Sequence, residues 1–124
     1  MKNVKIEILK GKTIVNINVE RGYFEDTIEF EDSDGVKYLM YHDLDCCEEV
    51  FIEDICGDLD NLLNTPLTLV EEVKSPGDEP RGEHAVSCTW TFYKFATIKG
   101  YVTIRWFGES NGCYSEEVDF AIID

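Results

Sequence analysis

Positive charge is scarce in this chain. Eleven Lys and Arg stand against 26 Asp and Glu over 124 residues, for a formal net charge of −15. That balance argues against a conventional DNA or RNA binder, which needs cations to neutralise phosphates. It argues equally against adsorption to an anionic membrane surface. Long apolar runs are also missing, and Met1-Lys2-Asn3-Val4-Lys5-Ile6-Glu7 lacks the apolar core of a signal peptide. The chain is therefore read as cytosolic. Cysteines stand at 46, 47, 56, 88 and 113, an odd count. In a reducing compartment these read as free thiols, and the neighbours Cys46 and Cys47 are poor candidates for bonding each other.

Apolar residues are plentiful by contrast, at 44% with 12% aromatic. That is enough to build a core in one domain spanning residues 1–124. The acidity is uneven. Between Glu20 and Asp60 lie fifteen acids opposed only by Arg21 and Lys37, so this third of the chain carries −13 and the rest −2. A solvated face explains net charge, but it explains such segregation poorly. The clustering points to an acidic surface offered to a basic partner. The residues expected to form it are Glu25, Asp26, Glu29, Glu31, Asp32, Asp34, Asp43, Asp45, Glu48, Glu49, Glu53 and Asp54.

The alternation of apolar and polar residues is mainly that of strands. Val4, Ile6 and Ile8, then Val15, Ile17 and Val19, predict a first hairpin turning at Lys10-Gly11-Lys12. A second hairpin runs from Thr27–Glu31 through Asp32-Ser33-Asp34-Gly35 to Val36–Tyr41, with Ile28, Phe30, Val36, Tyr38 and Met40 on its apolar side. Glu49–Ile52 reads as a strand. Ile55, Leu59, Leu62 and Leu63 recur at helical spacing after Asp54 as N-cap, predicting one short helix near residues 54–64. Leu67–Val73 reads as a further strand and residues 75–83 as an exposed loop. The strongest β signal follows, Ala85–Ile98 and Tyr101–Phe107 about a Lys99-Gly100 turn. That register pairs Phe95 with Ile104 and Tyr93 with Trp106, and needs a bulge near Thr91. Val118, Phe120 and Ile122 end the chain as a strand. The expected fold class is α+β, mainly β: an antiparallel, meandering sheet of seven or eight strands with one small helix.

Site motifs are weak. Asp32-Ser33-Asp34-Gly35 fails as a calcium loop, because Phe30 and Tyr41 fall where the first and last carboxylate ligands belong. His42, Cys46, Cys47 and Cys56 are metal-capable. Zinc ligands, however, usually come in pairs spaced so that one turn aims both at the ion, and adjacent cysteines in extended chain point to opposite faces. Cys88 reads as core. A Cys–His pair using His42 is disfavoured by the surrounding negative charge, which raises a thiol's pKa. Phosphate-cradling glycine motifs are absent. No enzymatic activity and no cofactor are expected. Trp90, Phe92, Tyr93, Lys94, Phe95, Arg105 and Trp106 superficially form a base-stacking strip, but core packing at period two accounts for most of these rings.

Four blocks carry a resemblance: Tyr41-His42-Asp43-Leu44-Asp45-Cys46-Cys47-Glu48, Ile52–Asp60, Ser87–Tyr93 and Thr103–Gly112, the last followed by Tyr114-Ser115-Glu116. Together they resemble a family of small acidic proteins encoded by bacteriophages and prophages, without an assigned biochemical role. Cys113 departs from the family pattern, which has an aromatic residue there. The resemblance implies a phage-borne protein acting in the cytoplasm of the infected bacterial host. Combined with the charge, it leads to an inhibitor of the anti-CRISPR or anti-restriction kind. Such an inhibitor occupies the basic nucleic-acid-binding site of a nuclease or CRISPR effector, with no direct contact to nucleic acid or membrane. The alternatives are a small structural zinc-binding domain, or a phage structural or assembly protein.

Overall fold

The computed structural model describes residues 1–123. Among them nine strands form: β1 Lys2–Asn3, β2 Ile14–Arg21, β3 Asp26–Asp32, β4 Lys37–Tyr41, β5 Glu49–Cys56, β6 Leu69–Pro76, β7 Ser87–Thr97, β8 Gly100–Ser110 and β9 Asp119–Ile123. They divide into a five-stranded sheet ordered β1-β9-β4-β3-β2 and a four-stranded sheet ordered β5-β8-β7-β6, with every pairing antiparallel. No α-helix forms among the described residues; only 3-10 turns wind at Ile6–Leu9 and Leu59–Leu62.

The inner faces bury each other. Ile28, Phe30, Tyr38, Met40 and Phe120 from the first sheet meet Val70, Tyr93, Phe95, Val102, Ile104 and Trp106 from the second in one core. Phe30 and Phe95 approach to 5.9 Å between ring centroids, and the Trp106 indole N–H reaches the Met40 sulfur at 3.3 Å. The alternation in Asp26–Asp32, with every second residue buried, is what a strand covered on one side requires.

The expected single meander with a helix is therefore wrong, and the reasons are local. Alternation identifies a strand's buried face but not the strand that covers it, so one sheet and two stacked sheets read alike. The predicted helix over 54–64 is pre-empted because β5 continues through a bulge, pairing Asp54 with Arg105, Ile55 with Ile104 and Cys56 with Thr103. Gly57 then turns the chain at φ +108°, where a Cβ would stand 2.5 Å from the Tyr101 carbonyl oxygen. The stretch left before Pro66 is too short for a helix to nucleate in competition with these strand bonds. Asp58, not Asp54, caps the remaining turn by accepting from the Asp60 N–H.

The first hairpin also fails. Ile6 and Leu9 are buried at a spacing of three while Ile8 is partly exposed, the pattern of a 3-10 turn. β2 instead pairs with β3. The second hairpin forms as expected, with Ile28 opposite Met40 and Phe30 opposite Tyr38. β7 and β8 pair, but their turn lies at Ile98-Lys99. Phe95 faces Val102, Tyr93 faces Ile104 and Thr91 faces Trp106. A two-residue slip leaves every side chain on its own face, which is why the sequence pattern could not detect it. No bulge interrupts this ladder; Thr91 itself stands buried in the inner row.

Phe30→Ala removes a ring at the centre of this core. It is expected to lower unfolding free energy by about 3–5 kcal/mol, read from urea denaturation, with the slope against urea unchanged.

Candidate acidic loop surface

Strand direction decides where the connections lie. The β2–β3 turn (residues 22–25) and the connections 42–48, 77–86 and 111–118 gather at one end of the sandwich. Two depressions confirm the gathering. One of about 480 Å³ is lined by residues 22–26, Leu44 and residues 46–51. Another of about 230 Å³ is lined by Cys47, Glu49, residues 82–85 and residues 109–111. The four connections contain nine acids (Glu25, Asp43, Asp45, Glu48, Asp78, Glu79, Glu83, Glu116 and Glu117) and one base, Arg81. Seven of the nine are exposed. At the opposite end, residues 10–13, 33–36, 57–68 and 98–99 carry three acids and three bases. The fold is thus polarised along its strands. Five of the nine, from Asp78 onward, lie outside the acidic third that the sequence singled out. Their signal is weak in one dimension because each pair or trio is diluted by apolar strands.

The twelve residues expected to form the partner surface separate into three groups. Asp26, Asp32 and Glu48 are buried and serve the fold. Asp26 accepts the Ile52 N–H at 2.8 Å, tying β3 to β5 across the two sheets. Asp32 accepts the N–H groups of Asp34 and Val36, and the Tyr38 hydroxyl at 2.9 Å, which shapes the β3–β4 turn. A second group is matched by cations on the outer sheet faces. Glu29 lies 3.8 Å from Lys37, Asp54 lies 3.8 Å from Arg105, and Glu53 takes both terminal nitrogens of Arg81 at 2.9 and 3.1 Å. Glu25, Glu31, Asp34, Asp43, Asp45 and Glu49 form no ion pair among the described residues. Of these six, Glu25, Asp43, Asp45 and Glu49 stand at the loop end, Glu31 on the outer face of the first sheet and Asp34 at the far turn.

Glu48 organises the 42–48 connection. Its carboxylate accepts the Asp45 and Cys46 N–H groups at 3.0 and 2.9 Å and meets His42 Nε2 at 2.9 Å. Burial alone would raise this carboxyl; the backbone N–H groups of Cys46, Asp45 and Glu48 itself, and then His42, overcome it and hold the pKa at about 2. His42 Nδ1 faces the Glu117 carbonyl oxygen at 2.6 Å, so both ring nitrogens lie against acceptors. The pair clamps the 42–48 connection to 111–118.

The metal-capable residues are otherwise engaged. His42 is used as above, Cys46 and Cys47 are joined in a disulfide between neighbours, contrary to expectation, and exposed Cys56 donates to Asp54. No three His, Cys, Asp or Glu among the described residues stand where they would hold a metal ion.

The basic and aromatic strip divides between faces. Tyr93, Phe95 and Trp106 are core, whereas Trp90 and Phe92 face outward with Phe107. Arg81 covers the Phe107 ring at 4.4 Å, and Arg81 and Arg105 lie 5.6 and 5.3 Å from Trp90. These stacked guanidiniums occupy the ring faces that a nucleobase would need. Cys88 is buried, but beneath the 77–86 connection and not between the sheets; a Cβ on Gly77 would meet its sulfur at 2.4 Å. Glu109 fastens that connection by accepting the Arg81 and Gly82 N–H groups at 2.6 and 3.1 Å.

A family model described as a domain of unknown function (DUF7448) matches residues 7–120, reaching well ahead of the Tyr41 start of the resembling blocks. No curated protein and no solved structure matches the chain.

Because its folded pKa lies below the ordinary 4.5, Glu48 stabilises the native state above that pH, and the stabilisation is lost as pH falls toward about 2. Urea unfolding of the wild type and Glu48→Gln is expected to show their stability difference shrinking by about 3 kcal/mol between pH 6 and pH 2.

Proposed function

From a chain that belongs to the DUF7448 family, we propose a phage-encoded, non-enzymatic inhibitor of a bacterial defence system, of the anti-CRISPR or anti-restriction kind. It acts in the host cytoplasm by seating its acidic loop end in the basic nucleic-acid-binding site of a nuclease or CRISPR effector. The supporting observation is the polarisation of charge: nine acids and one base in the four connections at one end. Nucleic-acid channels are lined with Lys and Arg, and field lines from a concentrated anionic end steer encounter with them. Arg–carboxylate contacts formed after encounter then prolong the complex. The phage origin rests on the resemblance of the Tyr41–Glu48, Ile52–Asp60, Ser87–Tyr93 and Thr103–Gly112 blocks.

The fold supports this use in a second way. Most surface acids are not matched by cations at the loop end, and the buried ones there are satisfied by backbone donors, so the connections keep their shape while the exposed carboxylates stay available. A rigid anionic surface loses little conformational freedom on binding.

Inhibition assays against purified CRISPR and restriction nucleases test the reading. Inhibition relieved by excess substrate nucleic acid is expected, with affinity falling about tenfold or more between 50 and 300 mM NaCl. The quadruple variant Glu25→Gln, Asp43→Asn, Asp45→Asn, Glu49→Gln slows association by about tenfold while dissociation changes less. Affinity indifferent to salt rules out electrostatic capture.

A further inference from the structure

The acidic end also carries an apolar feature that charge does not explain. In the tight β2–β3 turn, Gly22 donates to the Glu25 carbonyl at 2.8 Å, and a Cβ at Gly22 would collide with that same oxygen. The turn lifts Tyr23 and Phe24 clear of the surface, 93% and 80% exposed. They touch each other edge to face at 4.7 Å between centroids. Beside them opens the groove of about 480 Å³, with Leu44, Val50 and Phe51 among its lining. Every charged residue lining it is acidic: Glu25, Asp26, Glu48 and Glu49. Asp26 accepts a backbone N–H through one oxygen, and Glu48 accepts backbone N–H groups through both and meets His42. Glu25 and Glu49 are exposed and form no ion pair among the described residues.

Two adjacent rings left in water gain no burial free energy on folding, and covering them on binding would gain it. The lining states what the partner must bring. A lysine ammonium is a compact, strongly hydrated charge. A guanidinium is flat, lies on an aromatic face and still offers two parallel N–H groups to a carboxylate. We propose that the Tyr23–Phe24 turn and its groove are an anchor for an arginine side chain of a partner protein. The ring of Phe24 or Tyr23 stacks on the guanidinium, and Glu25 or Glu49 receives its N–H groups. The complementarity is one of charge, a cation against a groove whose charged lining is wholly acidic. This deepens the reading of the acidic end as a partner surface, and rests on it.

The probe is a blocked peptide, Gly-Gly-Arg-Gly-Arg-Gly-Gly, titrated into isotopically labelled protein and followed by NMR beside a counterpart with citrulline for arginine. Saturable shifts centred on residues 22–25 and 44–51 are expected, with the citrulline peptide at least about tenfold weaker. Tyr23→Ala with Phe24→Ala, both at exposed sites, weakens the arginine peptide by about tenfold. Glu29→Gln with Glu31→Gln, which removes charge from the outer sheet face instead, changes it by less than about twofold. Equal binding of the two peptides overturns the proposal, as does an equal loss in the two variants or a set of shifts centred elsewhere. Peptide binding with no nuclease inhibited overturns the defence-inhibitor reading alone. Nuclease inhibition untouched by Tyr23→Ala with Phe24→Ala overturns the anchor alone.

Discussion

Buried carboxylates accepting backbone N–H groups are the interaction on which the loop end of this sandwich depends. A chain of net charge −15 brings like charges together when it folds, and exposed connections have little apolar surface with which to resist. Asp26, Glu48 and Glu109 each turn a carboxylate inward onto main-chain donors: Ile52, Asp45 with Cys46, and Arg81 with Gly82. Each bond is charge-assisted and shielded from water. The acids that would most oppose compaction thereby become the links that join sheet to sheet and connection to strand.

The two outer faces and the loop end have different electrostatic characters. On the four-stranded sheet, Arg81 and Arg105 lie over aromatic rings and pair with Glu53 and Asp54, so charge is cancelled locally. On the five-stranded sheet, Lys37 lies near Glu29. At the loop end, Arg81 is the one base of the connections and is already committed to Glu53, which leaves the exposed carboxylates there largely uncompensated. The strongest negative field of the molecule is therefore expected at that end, where Tyr23 and Phe24 also protrude into solvent.

Parts of this arrangement were legible beforehand. The alternation through Ile28, Phe30, Tyr38 and Met40 identified a hairpin and its inner face, because a strand covered on one side must repeat every two residues. The acidity near residues 43–49 was visible as a run. The helix over 54–64 was misread because Ile55, Leu59, Leu62 and Leu63 satisfy helical spacing, yet the main chain of β8 offers 54–56 a better set of hydrogen bonds. Asp26, Asp32 and Glu48 could not be told from their exposed neighbours, since an acid that caps a turn and one that meets solvent have the same letter. The exposure of Tyr23 and Phe24 is set by the folded turn that carries them, and no local pattern of residue types records it.

By itself the sequence determined the sign and excess of charge, the strand character of most segments and which side of several strands faces inward. These follow from composition and from a two-residue period. Only the tertiary structure decided that the strands form two stacked sheets, that the β7–β8 register turns at Ile98-Lys99, and that Asp78, Glu79, Glu83, Glu116 and Glu117 join Glu25, Asp43, Asp45 and Glu48 at one end. The reason is geometric: antiparallel strands return alternate connections to the same end, so residues far apart in the chain share a surface that no local pattern records.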